Sequence, residues 1–204
     1  MIPSNPSLYE DIKLRAPYMY PDRIATDELT DYEFGGIAIQ DPSEGLKYQT
    51  WKGYWNSSDS TVYLEPQDTG GSTALFTEAG VVAFSFTFDQ NMRWSVATLD
   101  AGGNLKYRWY DSAVENYVIS TYTGVSSVKL THDDKRSVQI NLGGTDMILT
   151  YLRAGQVRWR IQRDRFLIEY SHPTAISNSF YISHFGMNTK NRLQWRIGPR
   201  RINL

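Results

Sequence analysis

The run "GVVAFSFTFD" at residues 80–89 sets Val82, Phe84, Phe86 and Phe88 against Ala83, Ser85 and Thr87. Successive side chains of a strand point to opposite faces, so this period of two predicts a β-strand with one face in a core. The pattern recurs in "MRWSVATL", "NLKYRWYD", "NYVISTY", "SSVKLTH", "SVQINL", "MILTYL", "QVRWRI", "RFLIEY", "FYISHF" and "RLQWRI", separated by turn residues. Strands repeating at roughly 8–12 residues are the mark of an antiparallel β-sandwich or barrel, here of about a dozen short strands. β-Branched and aromatic residues dominate these runs, and no window carries the apolar stripe of an amphipathic helix. The fold class expected is therefore all-β.

Residues 92–99 and 104–111 flank "DAGG", and residues 137–142 and 147–152 flank "GGTD", so both pairs read as hairpins. The four Gly-Gly doublets (Gly35-Gly36, Gly70-Gly71, Gly102-Gly103, Gly143-Gly144) are read as turn glycines, because none opens a helix with dinucleotide or Walker spacing.

The first 46 residues differ in character. They hold five of the eight prolines and scattered aromatic anchors, among them Tyr9, Tyr18, Tyr20, Tyr32 and Phe34. Each proline removes a backbone donor and pushes its predecessor into an extended conformation. The expected organisation is an extended N-terminal arm over residues 1–46, with one short helical turn near Asp27 to Tyr32, followed by an antiparallel β domain over 47–204. Such an arm lies along its own domain or reaches a neighbouring subunit.

Charge is divided along the chain. Residues 1–80 hold thirteen acids against five bases, and residues 81–204 hold nine against sixteen, so −8 and +7 sum to the overall −1. The chain has no cysteine, which excludes disulfides, thiolate metal sites and a thiol nucleophile. The N-terminal segment lacks the basic start and apolar core of a signal peptide, and no window reaches the length of apolar residues that a membrane-spanning helix needs.

Motifs that carry chemistry are sparse. His132, His172 and His184 are not at ligand spacing, so neither a metal nor any other cofactor is expected. "THDDKR" at residues 131–136 places Asp133 and Asp134 beside His132. Neighbouring carboxylates on one turn do not face each other across a substrate as those of a glycosidase must, so the segment reads as a polar hairpin turn. No enzyme is expected. "TWKGYWN" offers Trp51, Tyr54 and Trp55 as a sugar-stacking platform, although Trp51 and Trp55 share strand parity and so can both face a core.

The stretch "GQVRWRIQRDRFLIEY" at residues 155–170 mixes arginine with tryptophan. Strand parity puts Val157, Trp159 and Ile161 on one face and Arg158, Arg160 and Gln162 on the other. After a turn at Arg163-Asp164 the alternation resumes through Phe166, Ile168 and Tyr170, opposite Arg165, Leu167 and Glu169. Trp159 is expected in the core, and Arg158 and Arg160 on an outer face opposite an acidic protein surface. The last fifteen residues add Lys190, Arg192, Arg196, Arg200 and Arg201 without any acid. Near-neutral overall charge favours protein partners over nucleic acid for these groups.

The Pro- and Tyr-rich arm with "APYMYPDRIATDEL", the cysteine-free β domain with Gly-Gly hairpins and the basic C-terminal strand together resemble a bacteriophage virion protein of the tail or head-to-tail region. The resemblance lies in the general style of the whole chain. It implies a structural component of the virion, assembled in the host cytoplasm with copies of itself and other virion proteins, with no catalysis. Tyr9, Tyr18, Tyr20, Arg158, Arg160, Arg196, Arg200 and Arg201 are then the interface candidates. A carbohydrate- or receptor-binding β-sandwich module is the alternative, with Trp51, Tyr54 and Trp55 as its site.

Overall fold

A computed structural model describes residues 32–41, 45–66, 70–89, 93–132, 146–177, 180–187 and 193–199. They form fourteen strands and one 3-10 turn, Gln162–Asp164. In chain order the strands are β1 (Tyr32–Asp41), β2 (Gly45–Asn56), β3 (Thr61–Pro66), β4 (Thr73–Thr77), β5 (Val81–Phe88), β6 (Trp94–Asp100) and β7 (Leu105–Asp111). Then come β8 (Asn116–Tyr122), β9 (Val125–His132), β10 (Met147–Arg153), β11 (Gln156–Ile161), β12 (Tyr170–Ala175), β13 (Phe180–Met187) and β14 (Leu193–Pro199). All pairings are antiparallel, as expected from the alternation.

The strands make three four-stranded sheets, β1-β2-β3-β4, β5-β6-β7-β8 and β12-β11-β10-β9, and a two-stranded sheet, β13-β14. These stack as layers. Phe84, Phe86 and Phe88 of β5 and Val96 of β6 meet Val62 and Leu64 of β3, joining the first sheet to the second. The opposite face of the second sheet, with Ala97, Leu99, Leu105, Tyr107 and Trp109, meets Val128 and Leu130 of β9 and Leu149 and Tyr151 of β10. The far face of the third sheet, through Ile148, Leu152 and Val157, packs on Ile182 of β13.

Central layers are therefore covered on both sides. Met147 through Leu152 are buried without a break, and so are Phe84 through Phe88. The expectation of one core face for residues 80–89 is corrected here: Ser85 and Thr87 are as buried as the phenylalanines. Val82 departs in the other direction, at 45% exposure, because the ladder with β6 shifts register between Val81 and Ala83.

Local chemistry explains the turns. In "DAGG" the Asp100 carboxylate accepts from Asn104 N–H (2.9 Å) and Asn104 Nδ2 (2.8 Å), while Gly103 takes φ +78° and donates to Asp100 O. β10 and β11 are joined by Ala154-Gly155, both at positive φ, the conformation favoured in two-residue hairpin loops. Gly35-Gly36 lies inside β1, where turn glycines were expected. Gly35 stands directly across from Trp51, and residues paired in this way share a face, so glycine adds no side chain beside the indole.

The sheet also reaches further back than the expected domain boundary at residue 47. β1, from Tyr32, pairs along its whole length with β2, so residues 32–41 of the expected arm belong to the first sheet. Tyr32 opens that strand; the rest of the helical turn expected near Asp27 lies outside the described residues. β10 is paired on both edges, by β9 and β11; residues 137–142, expected to form a hairpin with it, lie outside the described residues. Residues 133–145 are outside the described set.

Candidate functional site

The arginine-rich hairpin is the densest polar feature of the described residues. β11 ends at Ile161, the 3-10 turn follows, and β12 begins only at Tyr170, so the regular alternation expected through residues 165–169 is absent. Arg165 and Phe166 both take left-handed backbone conformations, at φ 50° and 56°. Consecutive non-glycine residues in that region carry backbone strain, which burial of Phe166 offsets. Its ring meets Tyr107 and Trp109 edge-on, at centroid distances of 4.7 and 4.9 Å. The same turn leaves Leu167 and Ile168 at its tip, 76% and 51% exposed.

Register decides where the arginines point. Arg158 is paired with Tyr151 and Arg160 with Leu149, so both lie on the face of the third sheet that packs towards the second. This corrects the outer-face assignment: Arg158 and Trp159 lie on opposite faces, as the alternation predicts, but Trp159 faces β13-β14, stacked on Tyr170, and the arginines face the inner layer.

Their counterpart is Glu169 of the same chain. Arg153 Nη2 reaches Glu169 Oε1 at 2.6 Å, Arg158 Nη1 pairs with the same oxygen, and Arg160 Nη2 lies 3.3 Å from Oε2, to which the Tyr151 hydroxyl also donates. Arg160 further donates to the Phe166 and Leu167 carbonyls, both at 2.8 Å, and sits over the Tyr122 ring at 4.5 Å. One carboxylate and one guanidinium thereby tie the strained turn to β10 and β11.

Burial alone would push the Glu169 carboxyl up. The hydrogen bonds from Tyr151 and Arg158 and the charges of Arg153 and Arg158 outweigh it and hold the group below its ordinary range. Burial, and then the bond to Glu169, pushes the Tyr151 hydroxyl up to about 12, which keeps it a donor. Strand parity predicts Glu169 on a face beside Arg165 and Leu167 and assigns it no role. The available signal was its isolation, as the lone glutamate between residues 155 and 170.

Other ion pairs act in the same way. Glu78, just after β4, accepts from Lys106 (2.5 Å) and pairs with Arg108, joining the acidic and basic parts of the chain within one molecule. Asp111 binds Arg165 at 2.5 Å, Asp89 binds Arg93 at 2.6 Å, and Asp146 pairs with Arg163. Despite its burial, the bonds from Arg165 and the Ala113 N–H hold the Asp111 carboxyl low.

The proposed sugar platform is divided by strand parity. Trp51 and Trp55 pack on the Phe84–Phe88 cluster, Trp51 with its ring 5.1 Å from that of Phe88 and Trp55 donating its indole N–H to Glu78 O at 2.8 Å. Tyr54 stacks on Tyr63 at 5.2 Å, with Lys52 Nζ 5.0 Å from its ring centre, on the other side of the strand. The three rings thus do not form one surface. Trp55→Phe is expected to cost about 1 kcal/mol through loss of the indole hydrogen bond, read from urea denaturation midpoints. An unchanged midpoint would show that this bond contributes nothing net.

The remaining candidates are placed unevenly. Arg196 lies in β14 opposite His184 in β13, and His132 lies opposite Met147. Tyr9, Tyr18, Tyr20, Arg200, Arg201, Asp133 and Asp134 lie outside the described residues. Among the described residues no group of three or more His, Asp or Glu side chains is arranged to hold a metal. No helix there is long and apolar enough to cross a membrane.

One surface feature stands apart. β8, "NYVISTY", is an edge strand of the second sheet and bears Ile119 at 60% exposure. These features define an all-β protein of stacked antiparallel sheets, braced by internal ion pairs and, among the described residues, unpaired on the outer side of β8. Comparison with protein-family models, with curated proteins and with solved structures gave no match.

Proposed function

We propose that this chain is a structural component of a bacteriophage virion, of the tail or head-to-tail region, that assembles with copies of itself and with other virion proteins. The observation that supports an assembly role best is the commitment of its charged side chains to bracing. The Glu169 and Glu78 clusters bind separate strands of the stack together, as does the Asp111–Arg165 pair. A protein that bears load benefits from layers locked in this way. The virion setting itself rests on the style of the chain: a Pro- and Tyr-rich arm, cysteine-free β sheets and a basic C-terminal strand.

In this reading the arm, including Tyr9, Tyr18 and Tyr20, clasps a neighbour, and Arg196, Arg200 and Arg201 meet an acidic protein surface. Arg158 and Arg160 are engaged within the chain and hold the surface rather than forming it. The test is the solution mass of the whole chain against a version lacking residues 1–25. Full-length protein is expected at a multiple of its 23.4 kDa, and the truncated protein at a smaller multiple. A full-length protein that stays at 23.4 kDa at high concentration would remove the assembly reading.

A further inference from the structure

We infer that β8 is the pairing edge through which two copies of this chain join their second sheets across a two-fold axis. An exposed edge strand offers unpaired backbone groups to another strand, and native proteins blunt such edges by shortness, charge, proline, bulges or cover. The other described edges carry these devices. β4 has five residues and a register shift against β3; β12 contains Pro173 and also shifts register; β14 ends at Pro199. β1 contains Glu33 and Asp41. β5 and β9 cover each other, with Leu130 N–H donating to Ser85 Oγ at 2.9 Å, and Ile182 N–H of β13 donates to Ser127 Oγ at 3.0 Å.

Among the described residues, β8 has none of them. Its seven residues, Asn116 to Tyr122, include no charge, proline or glycine, and no described strand pairs with it on the side away from β7. The Tyr117 N–H is held by the neighbouring Asn116 side chain at 2.8 Å, a local contact that an incoming strand can replace.

The occupant that fits is an identical strand. Ile119 is the midpoint of the seven residues, so an antiparallel two-fold pairing about it overlaps the whole strand. It sets Ile119 against its mate, Val118 against Ser120, Tyr117 against Thr121 and Asn116 against Tyr122. The exposed isoleucine is then covered by its copy, and no like charges fall opposite each other, the penalty that deters most strands from pairing with themselves. The result is a continuous eight-stranded sheet through the dimer. This pairing rests on the assembly reading and specifies one of its contacts.

The absence of native cysteine allows a direct test. Ile119→Cys in the full chain is expected to form a disulfide-linked dimer under mild oxidation, because directly opposed residues lie about 4.5–5.5 Å apart between Cα atoms, within disulfide reach. Thr121→Cys is expected to stay uncrosslinked, since its own mate is then four positions away, roughly 13 Å. A mixture of Tyr117→Cys and Thr121→Cys chains should crosslink to each other. Ile119→Lys, at an exposed position, should keep the thermal midpoint at dilutions where both proteins are monomeric and weaken dimerisation by at least about tenfold, seen as a fall in solution mass.

Crosslinking at Ile119→Cys but not Thr121→Cys supports the pairing. An oligomer that persists in Ile119→Lys without crosslinking overturns it while leaving the assembly reading intact. A wild-type chain that is monomeric at all concentrations overturns both. An Ile119→Cys thiol that reacts with a labelling reagent only after residues 1–25 are deleted assigns the edge to the chain's own arm, and overturns it as well.

Discussion

Gly53→Ala is expected to lower the stability of this protein by about 2–3 kcal/mol, near the upper end of the usual cost of overpacking a core. Gly53 lies in β2 between Trp51 and Trp55, on the face that packs against β5. A Cβ there would stand 2.6 Å from Phe86 Cδ1, 2.7 Å from Phe84 Cζ and 2.8 Å from Phe86 Cε1. Carbon atoms prefer to be about 3.5–4.0 Å apart, so the contact is short by roughly 1 Å. Neither ring can readily retreat: both are buried, Phe84 stacks on Phe86 at 5.9 Å, and Phe86 meets Phe88 edge-on at 5.9 Å. The first two sheets would have to separate locally.

The expected fall in thermal midpoint is roughly 5–10 °C for a chain of this size. Gly102→Ala serves as the comparison. A Cβ at that turn meets only the Asn104 and Asp100 side chains, at 3.2 Å, and the expected cost is below about 1 kcal/mol. Urea denaturation of both variants checks the difference. Equal midpoints for Gly53→Ala and the wild type would mean that the two sheets do not meet closely at this point.

Glu169→Gln is expected to cost about 2–4 kcal/mol at neutral pH. Removing one partner of a buried ion pair typically costs about 3–5 kcal/mol, and the figure here is lower because the arginines retain some solvent. The Glu169 side chain is 14% exposed, against 31%, 22% and 13% for Arg153, Arg158 and Arg160. Glutamine keeps the shape and removes the charge, so three guanidinium groups converge without a counter-ion. The turn at Arg165-Phe166 also loses one of its ties to the sheet, leaving the Arg160 bonds to the Phe166 and Leu167 carbonyls.

The pH dependence has a definite sign. The folded-state Glu169 carboxyl is held below its ordinary value of 4.5, so it contributes stability that is present above pH 4.5 and is lost as pH falls through the depressed value. The stability gap between wild type and Glu169→Gln should therefore be largest near pH 7 and shrink steadily below pH 4.5. Urea midpoints at pH 7 and pH 3 measure it. A gap that stays constant would place the effect in packing rather than charge.

Much of the architecture is legible in the sequence. Each described strand from β5 to β14 overlaps a run marked by alternation, β12 by Tyr170 alone, and the Asp100–Gly103 turn is marked by its residues. The 165–169 segment misled because Phe166, Ile168 and Tyr170 continue a period of two while the backbone does something else. Two left-handed residues redirect the chain there, and burial of Phe166 between Tyr107 and Trp109 holds it. Gly35-Gly36 misled in the opposite way: a doublet that suits a turn also suits a strand lying across from a tryptophan. At the site, Arg158 and Arg160 could be named from the sequence, but Glu169 could not be assigned to them, since the 3-10 turn and the following loop bring it back onto their face.

Residue order alone establishes which positions alternate, where chain reversals are cheap, that no thiol chemistry is available, and that Trp159 and Arg158 stand on opposite sides of one strand. Those properties follow from backbone geometry and residue type, and both are local. Which side of each strand is covered depends on packing between distant segments. Alternation defines two faces without saying what lies above them, and in a stack of sheets both faces of a central layer find partners. Hence the arginine face turns inward onto Glu169 and Trp51 and Trp55 close against β5, each through contacts between separate segments, while no described strand lies on the outer side of β8.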